Sequence, residues 1–432
     1  MISLRNFVLI LLVLACYHVL PTEPTVTMQR SLLSLVAMVL GFAVFIKTAA
    51  LQAVVRSGNS IVSRGGTAKQ RFEGYRHKIE TAWALALPLC LWISGWVSWV
   101  KHYQSVGLPE SLGLFSCFIP ALLLVLFAEL VAAQMDQMCQ VGDQVHWFSH
   151  WRLRIRLGEM AGLLTCLVPV LLMASLGDIG NVIDRHLQVE SAWTRILPAA
   201  ILTSGFVMMF PKLLASWSSS QDLPGPLQSR VDEILRSVRV SGVQARLIPS
   251  QNRWSGAAIV GWLPGFRQLW LGDSLVENLS QRQLDMVIMH ELAHVTRMHF
   301  LWRMTPVVLG LTAGTAAWIV ADQLEWTSGL AVQFLTTAVT SSTLLCGLSW
   351  MAHRCELDAD RTACDLAIQA LPWSQTHSPA LALGAALDCL TEHSGHSKST
   401  WLHPSLDQRI EQLAVWHARQ CQPIGSQRSV DA

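Results

Sequence analysis

The chain has 432 residues, of which 52% are hydrophobic and only 14% are charged. An average soluble domain has roughly 25% charged residues, so this composition excludes both an ordinary soluble enzyme and a disordered chain. Lys and Arg number 31 against 29 Asp and Glu, which excludes the basic excess of a dedicated nucleic-acid binder. The ten cysteines occur singly, without CxxC spacing, and are read as reduced apolar residues. We therefore expect an integral membrane protein.

Six stretches in the N-terminal half are long and apolar enough to cross a bilayer, which needs about 20 residues. They lie at about 4–21, 31–54, 80–100, 111–133, 158–178 and 193–214. These stretches predict a multi-spanning membrane region over residues 1–214. The first stretch favours a membrane anchor but also fits a cleaved signal peptide, because its apolar run follows Arg5.

The loops of this region differ in the number of their basic residues. The loop after the second stretch and the loop after the fourth are the rich ones, with Arg56, Arg64, Lys69, Arg71, Arg76, Lys78, Arg152, Arg154 and Arg156. The positive-inside rule predicts that both are cytoplasmic, in a plasma or inner membrane, and that the chain after Lys212 is cytoplasmic again. The aromatic and Arg-rich run at 147–156 indicates an anchor to anionic lipid and no nucleic acid.

The second half divides by composition into four segments. Residues 215–226 are rich in Ser, Pro and Gly and predict a linker. Residues 227–302 predict a small α+β segment, with strands near 245–248, 256–262 and 268–271 and a capping box that opens a helix at Ser280. Residues 303–352 predict a transmembrane helical hairpin, or alternatively a hairpin packed in a protein core, and 353–432 a cytoplasmic helical segment.

The most specific motif is His290-Glu291-Leu292-Ala293-His294. Positions i and i+4 lie on one face of a helix, so both imidazoles can bind one Zn²⁺ per chain. The glutamate beside the first histidine can then deprotonate the attacking water. The motif predicts a metallopeptidase with His290 and His294 as metal ligands and Glu291 as the catalytic acid and base.

A catalytic zinc site needs a third protein ligand. His299 follows His294 by five residues and is expected on another side of the helix, as a residue of the membrane interface. Glu356 is the better candidate, with Asp360 one turn further on to accept the N–H of a ligand histidine. Asp358 lies on a different face and is expected to be solvated.

These residues resemble the HtpX-type integral-membrane zinc metallopeptidases and the CAAX prenyl proteases. The resemblance covers about 225–415 and rests on the runs HELAHV, ELDADR and HPSLDQRI. It implies a mainly α fold, with polytopic membrane helices and a small α+β zincin-like (gluzincin) domain. It also implies that His290, His294 and Glu356 bind zinc and that Glu291 is the acid and base.

The resemblance implies further site residues. The strand before the metal helix would receive the substrate backbone at Gly256, Ala257, Ala258 and Ile259. This chain has Trp-Ser-Gly-Ala where the family often has Asn-Ala-Phe, so side-chain preferences of the cleft are not implied. The resemblance also implies His403 and Arg409 as catalytic donors. All three tyrosines lie in the N-terminal half, which argues against a tyrosine in this role. For His403, packing between helices is an equal alternative.

The sequence thus predicts a membrane-bound zinc endopeptidase that cleaves membrane-associated or misfolded proteins, with its active site in the cytoplasm close to the bilayer. Its expected partners are a peptide or protein substrate and the lipid bilayer. One alternative is a signalling metallopeptidase that cleaves a repressor. Another is a non-catalytic membrane protein with a structural metal, for which Glu129 would be the most evident intramembrane charge.

Overall fold

The computed structural model describes residues 4–20, 23–55, 61–139, 159–187, 220–249, 256–261, 263–324, 329–370, 378–394 and 399–420, with isolated residues and pairs between 151 and 216. The chain forms two compact units. The first comprises Met1–Val207 with Thr327–Phe334, and the second comprises Met208–Trp326 with Leu335–Ala432. Helices dominate both units and one small sheet lies in the second, so the predicted mainly α fold class is confirmed.

The helices described in the first unit are α1 (Leu4–Val19), α2 (Met28–Val55), α3 (Ile61–Ile93), α4 (Trp96–Ser105), α5 (Glu110–Cys139) and α6 (Glu159–Leu187). Three of them, α2, α5 and α6, are long and apolar enough to cross a membrane. Helix α1 is shorter, with 16 residues. Most of the predicted span at 193–214 lies outside the described residues, as do Arg152, Arg154 and Arg156.

Two expectations for this unit need correction. The predicted span at 80–100 is broken, because Gly95 has a φ of 68° and separates α3 from α4 with a bend of 55°. The segment expected as a basic loop after the second span belongs largely to α3, which begins at Ile61. Arg76 within it is buried and so does not contribute to the basic surface that the positive-inside rule counts.

Arg76 forms a buried ion-pair network with acidic residues of the same unit. Its guanidinium contacts Glu129 at 2.9 Å and Glu80 at 2.7 Å, and Arg5 also pairs with Glu80. A buried carboxylate is tolerated when an opposite charge and hydrogen bonds compensate it. Glu129, the intramembrane charge that would have favoured transport, therefore has a structural counter-ion.

The second unit contains four strands and seven described helices. They are β1 (Gln221–Asp222), α7 (Gly225–Ser237), β2 (Val243–Ile248), β3 (Ala257–Val260), β4 (Arg267–Gly272), α8 (Asp273–Asn278), α9 (Gln281–Thr296), α10 (His299–Gln323), α11 (Gly329–Ala370), α12 (Pro379–Ser394) and α13 (Leu406–Gln420). The sheet order is β1-β2-β4-β3, with β2 and β4 parallel and the other pairs antiparallel. Strand β3 is therefore an edge strand. Part of the segment expected as a linker forms β1.

Helix α9 is fixed at its start and along its length. It begins with the predicted capping box, in which the side chains and backbone N–H groups of Ser280 and Gln283 bond reciprocally. Ile288 and Leu292 are fully buried in the core of the unit. Asp285 accepts two hydrogen bonds from Arg230, at 3.2 and 2.7 Å, which tie α9 to α7.

Helices α10 and α11 correspond to the predicted hairpin. Only 22% and 6% of their most apolar windows are buried, so their apolar surfaces face outward and favour lipid over a protein core. Small residues let the two helices approach closely, since a Cβ on Gly347 would lie 2.8 Å from Pro306. Helix α11 continues without a break from the apolar stretch to Ala370, so the predicted boundary at residue 353 is not a structural one.

Candidate metal centre

Three potential metal ligands converge between α9 and α11. His290 and His294 lie one turn apart on α9, with their Nε2 atoms 3.3 Å from each other. Each of these nitrogens lies 3.6 Å from an oxygen of Glu356. Ligand atoms of the three side chains all lie within 4.8 Å of one another. The three residues selected from sequence spacing thus form a group that can surround one metal ion.

The donor set suits a metal such as zinc. Burial lowers the pKa of His294 well below its usual value, which favours the neutral imidazole with a free lone pair. At His290 burial acts in the same direction, but hydrogen bonds to Asp360 and Glu356 outweigh it and raise the pKa to about 9. Nε2 points toward the other ligands in both histidines, which leaves Nδ1 for an orienting partner. Two imidazoles and one carboxylate are a common ligand set of catalytic zinc.

Asp360 and Arg409 orient His290 through its Nδ1 atom, the ring nitrogen that does not face the other ligands. Nδ1 of His290 lies 2.9 Å from Asp360 Oδ1. Arg409 donates two hydrogen bonds to the Asp360 carboxylate, at 2.8 and 2.6 Å. Asp360 therefore lies where the sequence predicted it. Arg409 was expected as a catalytic donor, but in this geometry it contacts Asp360 and acts on the ligands through that carboxylate.

Both oxygens of Glu356 have partners besides the histidines. Arg303 donates to Oε1 at 2.8 Å, and Nδ1 of His403 lies 3.2 Å from Oε2. The His403 side chain is 37% exposed, so it contacts the third ligand and still borders on solvent. Arg303 was missed by the sequence analysis, because a basic residue at the start of an apolar helix is ordinary and carries no specific spacing.

His294 is oriented by a residue that the sequence analysis placed elsewhere. Nδ1 of His294 lies 2.8 Å from Nδ1 of His299, and Nε2 of His299 lies 3.0 Å from Asp358. His299 is buried, so the expectation of an interfacial residue is wrong. The error has a backbone cause: α9 ends at Thr296, and Met298, with a φ of 52°, turns His299 back toward His294. Asp358 was expected to be solvated, but it bonds His299 and so supports the metal centre.

Glu291 faces the edge strand of the sheet. Its Oε2 accepts a hydrogen bond of 3.0 Å from the backbone N–H of Ile259 in β3. Burial raises the pKa of the Glu291 carboxyl above its ordinary value. The pKa of this proton acceptor is thereby closer to neutral pH, which suits a general base. The proposed acid and base therefore lies between the metal-binding group and β3.

The backbone of β3 offers free positions on its outer side. Gly256 accepts a hydrogen bond from Gly272 at the end of β4, so its carbonyl points into the sheet. Backbone groups alternate along a strand, so Ala257 and Ile259 point toward the open edge, as the Ile259 bond to Glu291 shows. Of the four residues expected to bind substrate, these two present their N–H and C=O outward.

Comparison with known proteins bears on this second unit. Residues 224–417 match the model of peptidase family M48. The chain is also similar to the crystal structure of S. mikatae Ste24p, with a TM-score of 0.47 and 14% identity over 90% of this chain and 100% of that one. No curated protein matches. The family match covers almost the same residues as the resemblance seen in the sequence, which is confirmed.

We predict that His299→Ala lowers the affinity for zinc about 10- to 100-fold, because His294 then loses the partner that orients it. Zinc dissociation constants from chelator competition on the purified full chain would measure the change. His353→Ala is the matched control, since His353 bonds only the Thr400 carbonyl among the residues described. Unchanged zinc affinity in His299→Ala, or an equal loss in the control, would contradict the role given to His299.

Proposed function

We propose that this metalloprotease, whose residues 224–417 form a peptidase family M48 domain, is a zinc-dependent membrane endopeptidase that hydrolyses membrane-associated or misfolded proteins. One observation carries the proposal: Glu291 lies between a group of three metal-binding side chains and an open strand edge. This arrangement places a proton acceptor beside both a metal and a surface that can hold an extended peptide.

His290, His294 and Glu356 would hold one Zn²⁺ per chain. The ion supplies a Lewis acid that polarises the scissile carbonyl. Asp360 and His299 keep the two imidazoles in position, and Arg303 and His403 do the same for the carboxylate of Glu356. Such outer contacts fix the ligand orientation before the metal binds.

Glu291 would act first as a base and then as an acid. It takes a proton from the attacking water and passes it to the nitrogen of the leaving amine. The N–H of Ile259 holds one carboxylate oxygen and leaves the other for this proton. His403 borders on solvent beside Glu356 and is the donor we assign to the oxygen that gains negative charge.

The substrate would bind as an added strand along β3. Peptide pairing with an exposed sheet edge uses main-chain hydrogen bonds and so accepts many sequences. The outward N–H and C=O of Ala257 and the C=O of Ile259 would supply these bonds next to Glu291, because the N–H of Ile259 already bonds the Glu291 carboxylate. An extended, unfolded segment meets this requirement better than a folded domain.

We predict that Glu291→Gln keeps the metal and loses at least 100-fold in turnover, because the amide preserves shape but cannot accept a proton. Zinc content and hydrolysis of a casein-derived peptide would be measured on the same preparation. Glu277→Gln, an exposed change on α8, is the matched control and should retain activity. Substantial hydrolysis by the Glu291→Gln variant would refute the assigned acid and base.

The strand-pairing proposal predicts that Ala257→Pro raises KM about tenfold, since proline removes one outward N–H while an edge strand tolerates it. Ala257→Gly keeps that N–H and serves as the control, with KM close to that of the unchanged enzyme. Steady-state kinetics with an extended peptide would separate KM from kcat. If both variants bind the peptide equally well, the substrate does not pair at this position.

The substrate class follows from the route of the chain after the metal helix. Only four residues separate His294 from α10, whose outer face carries exposed Leu309, Trp318 and Ile319. At 1.5 Å per helical residue, the ten positions from His294 to Met304 place the metal centre within about 15 Å of the apolar stretch of α10. We infer that the centre lies on the cytoplasmic side of the bilayer from the basic residues that the sequence concentrates at 56–78 and 152–156.

Tethering a test peptide to a transmembrane anchor should raise its rate of cleavage well above that of the free peptide, because the anchor confines it to the bilayer that holds the enzyme. Both rates would be measured in the same liposomes. Equal rates, or faster cleavage of the free peptide, would show that the membrane holds the enzyme without delivering the substrate.

A further inference from the structure

A cavity lies on the surface of the second unit, next to the corner between α9 and α10. It has a volume of about 580 Å³ and opens to solvent. Its walls include three arginines and two tryptophans, namely Arg297, Arg354, Arg361, Trp302 and Trp350. We call this cavity the arginine groove. Its size suits a small polar ligand. His299 and Asp358, which orient His294, line it as well, so the arginine groove borders on the metal centre.

The arginine groove has an excess of positive charge. Asp358 also lines it and pairs with Arg297 at 2.9 Å. Within the described part of the chain, neither Arg354 nor Arg361 forms an ion pair with a carboxylate. Arg354 lies over the ring of Trp350, 4.9 Å from its centroid. Two guanidinium groups therefore remain available to an anionic ligand, and the arginine side chain suits bidentate recognition of phosphate or carboxylate.

The tryptophans place the arginine groove at the level of lipid headgroups. Trp302 lies in the first turn of α10, and Trp350 lies where α11 changes from apolar to charged residues. Each is 57% exposed. Exposed tryptophans at the ends of membrane helices are typical of the headgroup region. The outward apolar face of α10 begins directly beside the groove, at Leu301.

From this arrangement we infer that the arginine groove binds an anionic phospholipid, with its headgroup phosphate between Arg354 and Arg361. Its acyl chains lie along the apolar outer face of α10, and Trp302 and Trp350 flank the glycerol region. An acidic peptide would match the charge alone. The lipid matches both the charge and the adjoining apolar surface, which is why the observations favour it.

The test measures lipid affinity on the purified full chain in detergent, by native mass spectrometry. The probes are phosphatidylglycerol and phosphatidylcholine with identical acyl chains. We expect tighter binding of phosphatidylglycerol, and a loss of about fivefold for each arginine replaced, or about 25-fold for Arg354→Gln with Arg361→Gln. The matched control removes two exposed arginines elsewhere, as Arg282→Gln with Arg419→Gln, and should bind as the unchanged protein does.

A second pair of variants separates loss of charge from loss of fold. Arg354→Lys with Arg361→Lys keeps the charge, and we expect its affinity to stay within about threefold of the unchanged protein. Equal affinity for the two lipids, an equal loss in the control, or a loss in the lysine pair as large as in the glutamine pair would overturn the proposal. Displacement of the lipid by equimolar inorganic phosphate or by a polyglutamate peptide would overturn it as well, since either result would show that charge alone is recognised.

Discussion

The second unit is organised around two buried carboxylates one helical turn apart, Glu356 and Asp360 on α11. A carboxylate removed from water is costly unless opposite charges and hydrogen bonds compensate it. Here each is bound by an arginine from a different helix, Glu356 by Arg303 of α10 and Asp360 by Arg409 of α13. Glu356 also contacts both histidines of α9, and Asp360 contacts His290. Satisfying these two charges therefore fixes the relative positions of four helices.

Helix α11 connects the apolar membrane segment to the metal centre as one continuous helix. It runs continuously from its apolar stretch through Glu356 and Asp360. Glu356 follows Trp350 by six positions, which corresponds to about 9 Å along the helix axis. The distance between Trp350, at the end of the apolar stretch, and Glu356 is therefore set by a rigid element. Substrates held in the bilayer would meet the catalytic group at a constant depth, which a flexible linker could not ensure.

The sequence predicted those features that depend on local spacing. The two histidines and Glu291, the pair Glu356 and Asp360, and the capping box at Ser280 all follow from helical periodicity or cap chemistry. Features that depend on a change of backbone direction or on distant contacts were missed. Nothing in the spacing indicates that Gly95 breaks a helix. The contact between Arg76 and Glu129 joins residues 53 positions apart, and such pairings are set by helix packing rather than by any local pattern.

The corner at Met298 shows how this non-local packing governs the metal centre. A left-handed backbone at a non-glycine residue costs on the order of 1 kcal/mol, and the Met298 side chain is largely exposed. The compensation comes from the two neighbours, because Arg297 and His299 both bond Asp358 on α11. The Asp358 carboxylate therefore holds both residues that flank the corner. The orientation of His294 thus depends on Asp358, a residue that never contacts it.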